Sequence, residues 1–116
     1  MPYTYSEHIS DIGIEAAADS LPAAFEFGVE GMLNLMFDIS TIEERLGFPL
    51  TAEARDIELL FVEVLNETLS IQGVYELALK RLKVDNIKTE GARVMLAGTV
   101  YGEKFEAGKH AVKTEV

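Results

Sequence analysis

The chain of 116 residues contains no cysteine and no tryptophan. The missing thiols exclude disulfides, a thiolate zinc site and a cysteine nucleophile, and they fit a reducing compartment. Basic residues are scarce as well: 10 Lys and Arg stand against 20 Asp and Glu, for a net charge of −10. Binding a nucleic acid backbone depends on Lys and Arg displacing counterions, so direct binding of RNA or DNA is not expected. If an RNA is involved, another protein should hold it. No apolar run approaches the roughly 18 residues that a membrane span requires, and no basic-plus-apolar leader opens the chain, which is therefore expected to be cytoplasmic. There is also no glycine-rich phosphate loop, no pair of histidines at metal-ligand spacing and no dinucleotide fingerprint. Ser10 lies beside His8 and Asp11, but close neighbours on one strand do not converge on a nucleophile, and no elbow motif surrounds the serine. No catalytic residue is assigned, and the chain is not expected to be an enzyme.

What is present suits one globular domain over residues 1–116: apolar residues make up 48% and charged residues 26%. Through Leu79 there are 15 acids and 2 bases, whereas from Lys80 onward there are 5 acids and 8 bases. Such asymmetry can orient an approaching partner, or it can simply be solvated surface.

Hydropathy patterning predicts an α+β fold, with two helices packed on a mainly antiparallel sheet. Tyr3 to Ile9 and Asp11 to Ala18 read as short extended segments. Ile12, Ile14 and Ala16 share one strand face while Ile9 takes the other, so a bulge or turn is expected at Ser10-Asp11, aiming the carboxylate out of the pleat. Asp19-Ser20 and Pro22 read as the start of a helix carrying Leu21, Phe25, Val29, Met32, Leu33 and Met36 on one face, with Gly28 and Gly31 allowing close packing against a sheet. A strand is expected around Leu46 to Ala52. Asp56 should cap a second helix, Ile57 to about Ile71, stopped by Gly73. Leu59 and Val62 widen its apolar stripe, which implies burial on more than one side. Leu77 to Val84 reads as strand, Asp85 to Gly91 as turn or loop, and Val94 to Tyr101 as a central strand apolar on both faces. Gly102 to Gly108 should be a loop, and His110 to Val116 a further strand.

The N-terminal string Glu7-His8-Ile9-Ser10-Asp11-Ile12-Gly13 looks like the opening motif of the archease family, usually His-Thr-Ala-Asp-Ile-Gly, with Ile9 and Ser10 where Thr and Ala are commoner. Three further blocks resemble the same family in the same order. They are Ser20 to Asp38 with its Gly31-Met32 and Asn34-Leu35-Met36 elements, Asp56 to Glu67 with Val64 where many members carry Trp, and Tyr101-Gly102-Glu103 through His110 to Thr114-Glu115-Val116. The resemblance implies a calcium-binding accessory protein of the GTP-dependent RNA-splicing ligase that joins tRNA halves, promoting its guanylylation and multiple turnover. Some members act on a tRNA methyltransferase instead. Family members continue past the Glu-Val step with two more strands that supply the other metal ligands. Only Asp11 carries over here, so the Ca²⁺ site is expected to be incomplete, and an unpaired strand edge near His110 to Val116 is expected to favour a homo-oligomer. A non-catalytic acidic scaffolding domain that has lost the metal site is the alternative.

Asp11 is thus the expected metal residue, its carboxylate offering hard oxygens suited to Ca²⁺, although calcium takes six to eight of them. Its plainer role is a turn Asp bonded to its own backbone. His8 would orient Asp11 or contact a partner, or simply pack at a strand end. Asp38 closes the first helix, where an acid opposes the macrodipole, or else caps the following turn. Glu103, His110 and Lys113 fall in a stretch that the resemblance assigns to the partner-facing surface; otherwise they belong to a solvated edge. Glu43-Glu44 reads as charged surface.

Overall fold

The computed structural model describes residues 9–110, and of residues 9–20 the backbone only. The elements run in the order α1 (Ile9–Met36), a short 3-10 turn (Ile39–Thr41), β1 (Leu46–Ala54), α2 (Ile57–Val74), β2 (Leu77–Glu90) and β3 (Arg93–Lys104). The three strands form an antiparallel sheet in the order β1-β3-β2, so the strand with apolar residues on both faces is the central one, as its pattern requires. The α+β architecture expected from the sequence is the one observed.

Both helices pack against one face of this sheet. Phe25, Val29 and Leu33 of α1 and Leu60 and Val64 of α2 close over Leu50, Leu79, Leu82, Leu96 and Val100 in a single core. The Phe61 ring lies directly against Gly28, so that glycine admits the second helix rather than the sheet. Leu96 and Val100 point into the core, while Met95, Ala97, Thr99 and Tyr101 alternate onto the opposite face and are half-buried. Among the described residues no helix covers that face.

Two glycines decide how β2 lies on β3. The register of β2 slips between Leu79 and Arg81 and again between Val84 and Asn86, and these bulges stand opposite Gly102 and Gly98. A Cβ on Gly98 would meet the Lys83 carbonyl at 2.5 Å, and one on Gly102 would run into the Ala78 carbonyl. Only a residue without a side chain lets the bulged strand come so close.

Several boundaries differ from the sequence reading, each for a physical reason. The backbone is helical from Ile9, so Asp11 to Ala18 is not extended and there is no strand bulge at Ser10-Asp11. The Glu15-Ala16-Ala17-Ala18 run consists of strong helix formers and joins the apolar stripe that follows. Pro22 then lies inside the helix, where it removes one backbone hydrogen bond, instead of in the first turn. The segment Tyr3 to His8 lies outside the described residues. Leu59 and Val62 are 38% and 48% exposed, so α2 is buried on one side only. Its end falls past Gly73: the Tyr75 amide bonds back to the Ile71 carbonyl, and Glu76 takes the left-handed conformation, φ 52°, that glycine usually supplies. β2 continues to Glu90, because backbone pairing with β3 carries the polar stretch Asp85 to Glu90 as strand. The turn is Gly91-Ala92 alone, with positive φ only at Gly91, the II′ pattern. β3 likewise persists through Lys104, and His110 is in no strand; residues 111–116 lie outside the described part.

Candidate functional site

The charged residues that sequence position separates most widely meet at one end of the sheet. Glu103, near the end of β3, is 94% buried (6% exposed) and His110 is 1% exposed. The loop between them closes on itself: the His110 amide donates to the Glu106 carbonyl at 2.7 Å, and the Glu106 amide donates to His110 Nδ1 at 2.9 Å. An Nδ1 that accepts a backbone N–H carries no proton of its own, so the ring hydrogen sits on Nε2 and is donated to Glu103 Oε2, 2.9 Å away. Phe105 lies between the Phe37 ring at the end of α1 and the imidazole, with centroids 5.8 and 6.0 Å apart. The loop is held by an aromatic contact as well as by polar ones.

The Glu103 carboxylate gathers three segments of chain. Besides His110 it accepts the Glu43 amide at 2.9 Å, and its other oxygen accepts from the Lys109 ammonium at 3.1 Å and stands 3.5 Å from Arg45 Nε. These donors favour the charged form and pull its pKa from 4.5 down to about 2, the Glu43 backbone amide contributing most and Lys109 next. Glu43, in turn, binds Lys109 at 2.8 Å and Arg45 at 3.0 Å. Its own carboxyl is held below the usual range, chiefly by the Lys109 hydrogen bond and then by Arg45, while Lys109 and Arg45 are raised. Beside this cluster Glu44 accepts from two guanidinium nitrogens of Arg81, Nε and Nη2, each at 2.9 Å, and that guanidinium lies 4.7 Å above the Tyr101 ring. The Arg81 hydrogen bond lowers Glu44 and raises Arg81.

Asp38 stands at the same end through the turn that follows α1. Its Oδ1 accepts from the Ser40 amide at 3.1 Å and the Ser40 hydroxyl at 2.6 Å, so it caps the 3-10 turn, one of the two roles open to it from sequence. The structure therefore brings Glu103 and His110 into direct contact, with Asp38 near the Phe37 side of the same end. Glu103 and His110 are buried polar residues rather than the solvated edge that was their alternative.

Asp11 is placed differently. It sits in the first turn of α1, while Asp38 follows its last turn, so the two acids mark opposite ends of the helix. His8 and Lys113 lie outside the described residues. Among the described residues no three His, Cys, Asp or Glu side chains gather as a metal site. One aspartate falls well short of the six to eight oxygens calcium takes.

Chemically the Glu103–His110 pair is a clasp. Both imidazole nitrogens are engaged, and no buried side-chain polar atom among the described residues lacks a partner. A buried network of this kind fixes one backbone arrangement and leaves neither imidazole nitrogen free for a substrate. Its exposed rim of Glu43, Glu44, Arg45, Arg81 and Lys109 presents paired charges of both signs. Sequence reading reached Glu103 and His110 only through resemblance and missed Arg45, Arg81 and Lys109. The contact between Glu43 and Glu103 spans 60 residues and leaves no local pattern. The single local signal was Glu106-Ala107-Gly108-Lys109, a turn composition that could bring His110 back towards Glu103. No helix among the described residues is long and apolar enough to cross a membrane.

Comparison with known proteins agrees with this fold. Residues 3–116 match the Archease protein family. The Pyrococcus furiosus protein archease is 32% identical over 114 residues, 98% of this chain and 80% of the relative. A Drosophila melanogaster protein archease-like is 31% identical over 117 residues, 100% of this chain and 74% of the relative. The solution structure of Methanobacterium thermoautotrophicum protein 1598 superposes with a TM-score of 0.72 at 28% identity, covering 84% of this chain and 68% of that one. With two helices on an antiparallel sheet and a family match that runs almost end to end, the chain belongs to the archease family.

Proposed function

We propose that this chain acts as an archease-type activator of the GTP-dependent RNA-splicing ligase, promoting its guanylylation and multiple turnover. The observation that carries the reading is the family match over residues 3–116. An accessory role also suits the chemistry of this end of the sheet. Both imidazole nitrogens of the buried Glu103–His110 pair are engaged within the fold, and a net charge of −10 leaves RNA to be held by the partner. What the sheet end offers is a fixed, charge-patterned surface of the sort that orients a protein partner. Calcium at Asp11 belongs to this proposal through the family motif alone, because the described residues supply no companion ligands. A tRNA methyltransferase is the second partner to test.

The test is RNA ligation by the cognate ligase with RNA in large excess, in the presence and absence of this protein. The proposal expects turnover beyond one RNA per ligase only when the chain is added. Equal turnover with a folded, monodisperse sample would refute it and direct attention to a scaffolding role. Calcium titration of the native chain and of Asp11→Ala tests the metal separately, with weaker binding by the variant expected and identical isotherms contradicting the assignment.

A further inference from the structure

The two outer strands of the sheet are treated unequally. On β2, helix side chains take up two backbone amides: Glu26 of α1 accepts from Val84 at 2.8 Å, and Gln72 of α2 accepts from Leu79 at 3.0 Å. β1 is paired with β3 on one side, and among the described residues no side chain takes any of its amides. Beside this free edge runs a furrow of ≈ 300 Å³ between β1 and α2. Its apolar end is formed by Phe48 and Tyr75, stacked at 5.0 Å, together with Val74, which is 71% exposed. A second hollow shares Thr51 and Glu67 with the first and continues past Glu53 and Glu63 to Lys88 of β2, whose ammonium is paired with Glu90 at 3.7 Å.

Chain geometry sets what the furrow can hold. From Glu63 to Val74 the helix rises about 16 Å, and from Phe48 to Glu53 the strand advances about 17 Å, the length of about five extended residues. Charge sets its sign. Glu53 meets Arg93 at 3.6 Å, but Glu63 and Glu67, one helical turn apart, meet no cation among the described residues. The helix layer around them is uniformly acidic, since α1 and α2 together carry eight Asp and Glu and no Lys, Arg or His. Pro49 interrupts the row of backbone donors on β1, which disfavours addition of a second copy of the same strand, and like charge disfavours it further.

We propose that this furrow receives an extended basic segment of a protein partner, with an aromatic or aliphatic residue against Phe48, Tyr75 and Val74 and a Lys or Arg at Glu63 and Glu67. Recognition is mainly by side chains, an apolar anchor plus two exposed rim charges. The inference is independent of which enzyme the chain serves, so a failed ligase assay leaves it standing and its own failure leaves the ligase reading standing.

The test is selection of a random nonapeptide library on the native protein, counter-selected on the Glu63→Gln, Glu67→Gln, Val74→Asp variant. These positions are exposed, so the variant folds. Enriched peptides should combine Lys or Arg with an aromatic or long aliphatic residue. In fluorescence anisotropy they should bind about three- to tenfold more weakly once Glu63 and Glu67 are glutamine, and lose further affinity in high salt. Amide shifts should map to Thr51 and Tyr75. Enrichment of acidic peptides, equal binding to the variant, no enrichment over the counter-selection, or shifts at Glu43 and Lys109 would each overturn the proposal. Sedimentation showing a dimer that Val74→Asp dissociates would assign the furrow to a second copy and overturn it as well.

Discussion

Replacing His110 with alanine tests whether the clasp at the end of the sheet is structural. The substitution leaves the Glu106 amide without its acceptor, takes one donor from Glu103 and removes the ring that faces Phe105. An unsatisfied amide costs about 1–3 kcal/mol, and a lost aromatic contact adds about 0.5–1.5 kcal/mol. The expected loss is therefore about 2–4 kcal/mol, a large share of the roughly 5–15 kcal/mol of a typical domain. For a chain of this size it corresponds to a fall in Tm of about 10–25 °C. Urea denaturation followed by circular dichroism, with a thermal scan alongside, measures it. His110→Gln can still offer an acceptor and a donor and should lie between the two. Should His110→Ala unfold within about 0.5 kcal/mol of the native chain, the range of an ordinary surface change, the clasp contributes nothing and the reasoning is wrong.

Other expectations follow from the same geometry. Because the folded pKa of Glu103 is depressed to about 2 from 4.5, the stability it confers is complete above pH 4.5 and is lost as pH falls towards 2; Glu103→Gln should flatten that part of the stability–pH curve, and an unchanged slope would contradict the network. Asp56 accepts from the Leu59 amide at 2.8 Å as the cap of α2, so Asp56→Ala should cost about 0.5–2 kcal/mol in chemical denaturation. Gly102→Ala should destabilise far more than Gly73→Ala, since a Cβ at 102 strikes the β2 backbone and one at 73 meets nothing within 4 Å; equal melting temperatures would show that the bulge can yield. Glu76→Gly should raise stability by about 0.5–1 kcal/mol by relieving a left-handed backbone in a residue with a side chain.

Elements with strong periodicity were legible from the residues alone. α2 with its Asp56 cap, the central position of β3 and the strand at Leu46 all follow from spacing that serves one core. Boundaries were lost where backbone pairing outweighs side-chain pattern, as in the polar half of β2, and where an alternating apolar string was also rich in alanine, as at Asp11 to Ala18. The site divides in the same way. A motif can suggest Glu103 and His110, but the Glu43 amide and the Lys109 ammonium that hold the carboxylate come from contacts made only on folding. Its charge partners were invisible because surface lysines and arginines follow no local rule.

Formation of the ligase–GMP adduct tests the functional account most directly. Labelled GTP is mixed with the cognate ligase, and covalent label is followed with the native chain, with Asp11→Ala and with neither. The account predicts faster adduct formation with the native chain and little acceleration with the variant. Equal rates in all three mixtures, from proteins shown to be folded, would contradict it.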